Sequence, residues 1–285
     1  MNLRIPAAAL LVTSSWVMAQ TLEGVTGIDT QSNLNQQFLA RRHLDSRSTQ
    51  TKSALEPRVV VFAGDRVIPH VVDGGSWQTS FFFVNLENHP TTFQVLFFDD
   101  LGNDLFLPVA GFGLVRQMSV TLNTAGSTEF ETSGTASNLK QGWALVSQTT
   151  NDTVGGMAVF KQHVFGRPDQ EAVVPIVSQF DSHFVLMFDN TAFITGIAIS
   201  NPTLDFVDIP VTIRNQSGAV IDTRTISLGP YGHTAFSLPD TWFSTAGRRG
   251  AIEFLTSGFG VAALGLRFNG SAFTSFNVLE NINWR

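Results

Sequence analysis

Three observations predict an all-β protein, two tandem antiparallel β-sandwich repeats behind a signal peptide and a polar leader. Phe is abundant, 25 of 285 residues, and with Val, Ile and Thr it suits a pleated, half-buried surface. From Arg58 onward, Gly- or Asn-rich breaks recur about every eight to twelve residues, the rhythm of a sandwich or barrel. Two stretches of roughly a hundred residues then match each other in order, apolar phase and turn residues.

Residues 1–19 read as a signal peptide. One basic side chain, Arg4, precedes an apolar run over 5–12, and Val17-Met18-Ala19 offers small or aliphatic residues before a cut at Gln20. The run is too short to span a bilayer, which needs about 20 residues. The expected location is therefore secreted: extracellular, cell surface or periplasm. Residues 20–57 form a polar leader in which segments such as Arg47-Ser48-Thr49-Gln50-Thr51 dominate. It is expected to be a flexible tether, with a short helix near 33–44.

The repeats are expected at 58–172 and 173–285. Val67-Ile68-Pro69-His70-Val71 finds an echo in Val173-Val174-Pro175-Ile176-Val177. At an offset of 116, Thr79 aligns with Thr195, Asn85 with Asn201, Val95 with Val211 and Gly102 with Gly218. At an offset of 106, Leu122 aligns with Leu228, Gly126 with Gly232, Thr128 with Thr234 and Phe130 with Phe236. Gly142 then falls on Gly250. Phe93, Val95 and Phe97 alternate, so they share one strand face. Asp99-Asp100-Leu101-Gly102-Asn103 and Asn215-Gln216-Ser217-Gly218 read as hairpin turns with Gly in the left-handed position. Gly126 and Gly232 are expected at positive φ. About seven strands per repeat are enough for a two-layer sandwich.

The copies differ in surface. Phe81-Phe82-Phe83 and Leu96-Phe97-Phe98 make the first apolar on both faces. In the second, Asp208, Pro210, Thr212 and Arg214 take the alternate positions, and Pro210 suggests an edge strand. The extra apolar face of the first copy, at Phe82, Leu96 and Phe98, is expected to be covered by the second copy or by a partner chain, which makes an oligomer conceivable.

Ile68-Pro69-His70-Val71-Val72-Asp73-Gly74-Gly75-Ser76-Trp77-Gln78-Thr79, followed by Val84-Asn85 and later by Leu264-Gly265-Leu266-Arg267-Phe268, resembles a set of uncharacterised secreted proteins of soil bacteria. In these a Pro-His-x-x-Asp-Gly-Gly-x-Trp-x-Thr segment precedes a β-rich repeat. The resemblance spans about residues 58–280. It implies export and the tandem β plan, and it implies no active site. The second copy has Phe188-Asp189-Asn190-Thr191 instead of the Asp-Gly-Gly-x-Trp segment.

Composition narrows the chemistry. A formal net charge of −6 without a Lys/Arg cluster argues against a nucleic-acid partner. The chain has no Cys, which removes thiol catalysis, thiolate zinc sites and iron–sulfur clusters. No run beyond the N-terminus reads as a membrane span. A single Tyr speaks against an outer-membrane barrel, which carries aromatic girdles. Six His are scattered without a metal-binding spacing; His70 with Asp73 is the nearest to a metal pair and reads better as a turn or cap. Asp99-Asp100 could be paired carboxylates for glycoside chemistry, but their hairpin position favours a turn role. No catalytic residue, metal ligand or cofactor is predicted. The segment to inspect for a ligand site is Asp73-Gly74-Gly75-Ser76-Trp77: Asp73 offers an acceptor and Trp77 a flat face for a glycan or a peptide. The expected function is binding, adhesion or extracellular assembly without a bond-making step. The alternative is a secreted polysaccharide-active enzyme whose site is assembled from distant residues.

Overall fold

A computed structural model describes residues 65–148, 152–178, 180, 182–256, 260–276 and 278–280. The expected signal peptide and leader lie outside the described residues. The chain folds into β-sandwiches. The first is built from β1 (Arg66–Asp73), β2 (Trp77–Asn85), β3 (Thr91–Phe98), β6 (Gln117–Leu122), β7 (Ser127–Glu131), β8 (Lys140–Gln148), β9 (Val154–Gln162) and β10 (Gln170–Pro175), with a small hairpin of β4 (Leu107–Val109) and β5 (Gly113–Val115) inserted. Its sheets run in the orders β1-β8-β3-β6 and β10-β9-β2-β7.

The second sandwich is built from β11 (His183–Asp189), β12 (Ile194–Ser200), β13 (Val207–Asn215), β14 (Val220–Leu228), β15 (His233–Ser237), β16 (Arg249–Leu255), β17 (Ala262–Asn269), β18 (Ala272–Phe276) and β19 (Leu279–Glu280). Its sheets run β14-β13-β16-β11-β19 and β15-β12-β17-β18. All strand pairs in these sheets are antiparallel. A short helix, Leu238–Thr241, follows β15, and among the described residues no helix is long and apolar enough to cross a membrane.

Alternation decides the cores. Phe93, Val95 and Phe97 of β3 are fully buried and meet Phe81 and Phe83 of β2 across the first sandwich; the Phe83–Phe93 ring centroids are 5.1 Å apart and those of Phe81–Phe97 5.6 Å. In the second, Val211, Ile213, Ile252 and Phe254 pack against Ile197 and Ile199.

Two hydrogen-bond patterns occur once in each sandwich. The Asn85 side-chain amide donates to the carbonyls of His89 and Asn123, and its oxygen accepts from the Glu87 amide. Asn201 donates to Asp205 and Gly229 and accepts from Thr203. Asp99 Oδ1 accepts from the amides of Leu101 and Asn103, and Asn215 Oδ1 from those of Ser217 and Ala219. Gly102 and Gly218 follow at φ 82° and 83°.

Several expectations need correction. A boundary after residue 172 would cut β10, which pairs with β9 through Pro175↔Met157; residues 173–175 therefore belong to the first sandwich. The echo between Val67–Val71 and Val173–Val177 is not a structural equivalence. The first segment is in β1, the second runs through β10 in the opposite sheet, and Val67 and Val177 form a bridge. Pro210 is in an interior strand. Pairing of β13 with β16 begins only at Val211, so at Pro210 no ladder donor is missing on that side. Gly126 and Gly232 are not at positive φ; Ala125 and Tyr231 before them are, at 53° and 55°. The glycines are there for space: a Cβ would lie 3.0 Å from the Asn123 carbonyl oxygen in one turn and 2.9 Å from that of Gly229 in the other.

Candidate functional site

A chain of polar side chains, both of its imidazoles buried, lies where the sandwiches meet. It begins with an irregularity in β1. Ile68 pairs with Ala144 and Val71 with Gly142, so Pro69 and His70 together oppose one residue of β8. Such a bulge re-aims a side chain and leaves one residue unpaired, and proline, having no N–H to donate, fits it. His70 here packs edge-on against Phe160 at 5.0 Å and reaches the second sandwich.

There His70 Nδ1 lies 3.1 Å from His233 Nε2, the two rings stacked with an interplanar angle of 7°. His233 Nδ1 lies 2.7 Å from Asp100 Oδ1, and Gln141 Nε2 donates to Asp100 Oδ2 at 2.7 Å. Both imidazoles are buried. Burial, followed by the charge of His233, lowers the His70 pKa from the ordinary 6.5 to about 3, against the charge of Asp100 and a backbone hydrogen bond with Gly142. For Asp100 burial is the largest influence and opposes ionisation. The hydrogen bond and charge of His233, the Gln141 amide and the charge of His70 outweigh it, so Asp100 is held below the usual carboxylate range.

Aromatic packing surrounds this chain of bonds. Phe98 stacks on Trp143 and on Tyr231, with centroids 4.9 Å apart in each case, and Trp143 Nε1 donates to the Tyr231 carbonyl at 2.7 Å. The His233 amide donates to the Asp100 carbonyl at 3.1 Å. A Cβ on Gly102 would sit 2.1 Å from the Pro230 carbonyl oxygen: the β3 hairpin of the first sandwich is pressed against the turn before β15 of the second. Beside His70 and Gln141 a cavity of about 30 Å³ opens, lined largely by Val72, Trp77, Phe160, Leu266 and Phe268. That volume suits about two waters, far below a drug-sized ligand.

The sequence-predicted ligand residues have other positions. Asp73 is fully buried; its Oδ1 accepts from the Gly134 amide at 2.6 Å and its Oδ2 from Ala136 at 3.0 Å. Gly75 and Ser76 both have positive φ, 60° and 76°, and Gly74 and Trp77 exchange backbone bonds of 3.0 Å, a two-residue type I′ hairpin. This turn directs Trp77 inward, 4% exposed, with its ring 5.1 Å from that of Phe273 in the second sandwich. Asp73 braces a loop and Trp77 packs the junction; neither presents a face to solvent. His70 and Asp73 do not come together. Asp99 and Asp100 diverge, one capping its turn and the other joining His233.

Phe98 is 7% exposed beneath Tyr231, and Leu96 packs in the same cluster. Phe82, expected on the same face, belongs to the other sheet, because β2 and β3 lie in opposite layers. The outer surface of that β10-β9-β2-β7 sheet carries Phe82, Val84 and Val159, half-buried, beside Leu86, Met157 and Val173, which are 60%, 40% and 44% exposed.

Sequence reasoning missed His233, Asp100 and Gln141 as a group. The available signal was the set of departures between aligned positions: at the offset of 106, Tyr231 and His233 align with Ala125 and Ser127. Comparison with protein-family models and with curated proteins finds no match for this chain.

Proposed function

We propose that the protein is an exported, non-catalytic module of two copies of one β-sandwich, which binds a protein partner through the outer face of its β10-β9-β2-β7 sheet. The copy relation draws support from the shared strand orders and from the Asn85/Asn201 and Asp99/Asn215 bond patterns at one offset. One observation carries the binding reading. The corresponding face of the second sandwich, with Ala198, Leu264, Leu266 and Phe268, packs into the core of the first. In the first sandwich that face has Phe82, Met157 and Val173 and is open among the described residues. A contiguous apolar surface rimmed by Glu129 and Glu171 is the usual mark of a contact site for protein. A glycan would call for more polar groups than this face offers.

The non-catalytic reading rests on the use made of the reactive residue types. His70, His233 and Asp100 are spent on one another across a junction with no hydroxyl nucleophile in the chain of bonds. The test is a binding screen of the purified chain against glycan and protein panels, beside a Met157→Lys/Val173→Lys variant. Protein binding that the charged variant loses, with its circular dichroism unchanged, supports the proposal. Equal binding by both proteins, or turnover of a polysaccharide, overturns it.

A further inference from the structure

The junction cluster has a proton count that the bond pattern sets. An ionised Asp100 accepts from His233 Nδ1 and from Gln141, so His233 Nδ1 carries a hydrogen. The backbone bond at Gly142 favours the protonated His70 ring, but burial and the charge of His233 outweigh it. The 3.1 Å gap between His70 Nδ1 and His233 Nε2 has room for a single hydrogen, donated by one ring and accepted by the other. Burial and the charge of His233 keep the docked His70 ring neutral, so one hydrogen closes the bond between the rings. Charging both rings would set two N–H groups head to head in a buried site, with no acceptor between them.

We propose that this cluster is a pH-dependent latch: the two sandwiches are held together at neutral pH, and their docking weakens in mild acid. The groups that set the response come from every side of the contact. His70 is on β1, His233 on β15, and Asp100 in the turn after β3; Gln141 on β8 is neutral, and β9 contributes Phe160. His233 and Asp100 are the charges that act on His70.

The sign follows from the titration of His70. Docked, its pKa is about 3; released into solvent, the ring returns towards 6.5. The parted state therefore binds more protons between those values. Docking is at full strength above pH 6.5 and is lost progressively as the pH falls towards 3. Asp100, held below its ordinary 3.8, adds a contribution that is present above that pH and lost below it. For His70 alone, docking at pH 5 is weaker than at pH 7.5 by about thirty-fold.

The His233 amide reports the latch directly, because its acceptor, the Asp100 carbonyl, is on the other sandwich. Hydrogen exchange of the purified full chain is measured at pH 7.5 and 5.0 and corrected for the intrinsic rate at each pH. The protection of the His233 amide is expected to fall by about thirty-fold, while core amides such as Val95 and Val211 stay unchanged. His70→Asn, which keeps a polar group near the Nδ1 position but does not titrate, is expected to flatten the response. Constant protection of His233 in the wild type overturns the proposal, as does an equal fall in the core amides or an undiminished fall in His70→Asn. Should that variant not fold, His70→Gln takes its place, and the wild-type result alone still overturns the proposal if His233 does not respond.

Discussion

Asp73 illustrates how burial decides what a residue does. In the sequence, an acidic group beside two glycines and a tryptophan is equally suited to a ligand loop and to a bracket. The decisive fact is that Gly134 and Ala136, some sixty residues on, present their amides to it. Bonds from amides to a carboxylate are stronger than neutral ones, and removing the acceptor leaves two part-buried donors unsatisfied. Asp73→Ala is expected to cost about 3 kcal/mol, read as a lowered urea midpoint with an unchanged slope. A cost below about 0.5 kcal/mol, the range of ordinary surface substitutions, would contradict the bracket role. His70 is the same lesson reversed. Its nearest acidic neighbour in sequence is Asp73, yet its partner is His233, 163 residues away. A lone histidine carries no signal of such a partner; only the bulge, announced by Pro69, hints that the side chain is re-aimed.

Elements were more legible than contacts. Alternation places Phe93, Val95 and Phe97 on a buried face because a strand has no other way to present them. Turn chemistry places Gly102 and Gly218 correctly because a left-handed residue after an Asp or Asn turn has few alternatives. The misjudged elements are those where the neighbouring strand matters. Pro210 lies in an interior strand because its β16 partner starts one residue later, and that offset is not written in β13 itself. The two hairpins offer a test at this scale. Gly102 and Gly218 have the same φ within a degree, but a Cβ at Gly102 meets the Pro230 carbonyl, while at Gly218 nothing lies within 4 Å. Gly218→Ala is expected to cost about 1 kcal/mol for left-handed backbone. Gly102→Ala is expected to cost about 3 kcal/mol, since backbone must also move. Equal losses of thermal stability would mean that the first hairpin is not pressed against the second sandwich.

At the scale of the molecule, the proposed repeat predicts two similar bodies, and several departures from it lie where they join. Tyr231 and His233 replace Ala125 and Ser127 on the inserting side. Phe98, Trp143 and Asp100 on the receiving side stand against Arg214, Ala251 and Gln216 in the second sandwich. On the proposed repeat, matched positions such as Phe93 and Val211 lie in the cores, while the unmatched Asp100, Trp143, Tyr231 and His233 meet at the joint. This explains why composition and periodicity predicted the β architecture while the junction stayed hidden: a contact made by residues that break the pattern cannot be found by looking for the pattern. It also sets the polarity of the pair, since the outer face of the second sandwich carries Arg214, Glu253 and His183 in a hydrogen-bonded group, in contrast to the aromatic surface buried at Phe98 and Trp143.

The claim on which the account turns is that the two sandwiches are locked as one body at neutral pH. The absence of cysteine from the chain allows a direct measurement. Spin labels at Glu129→Cys in β7 and Thr225→Cys in β14, both exposed, report the distance across the joint by pulsed electron–electron resonance. At pH 7.5 a single narrow distance distribution is predicted. A broad or two-peaked distribution at that pH, with both sandwiches folded, would contradict the account.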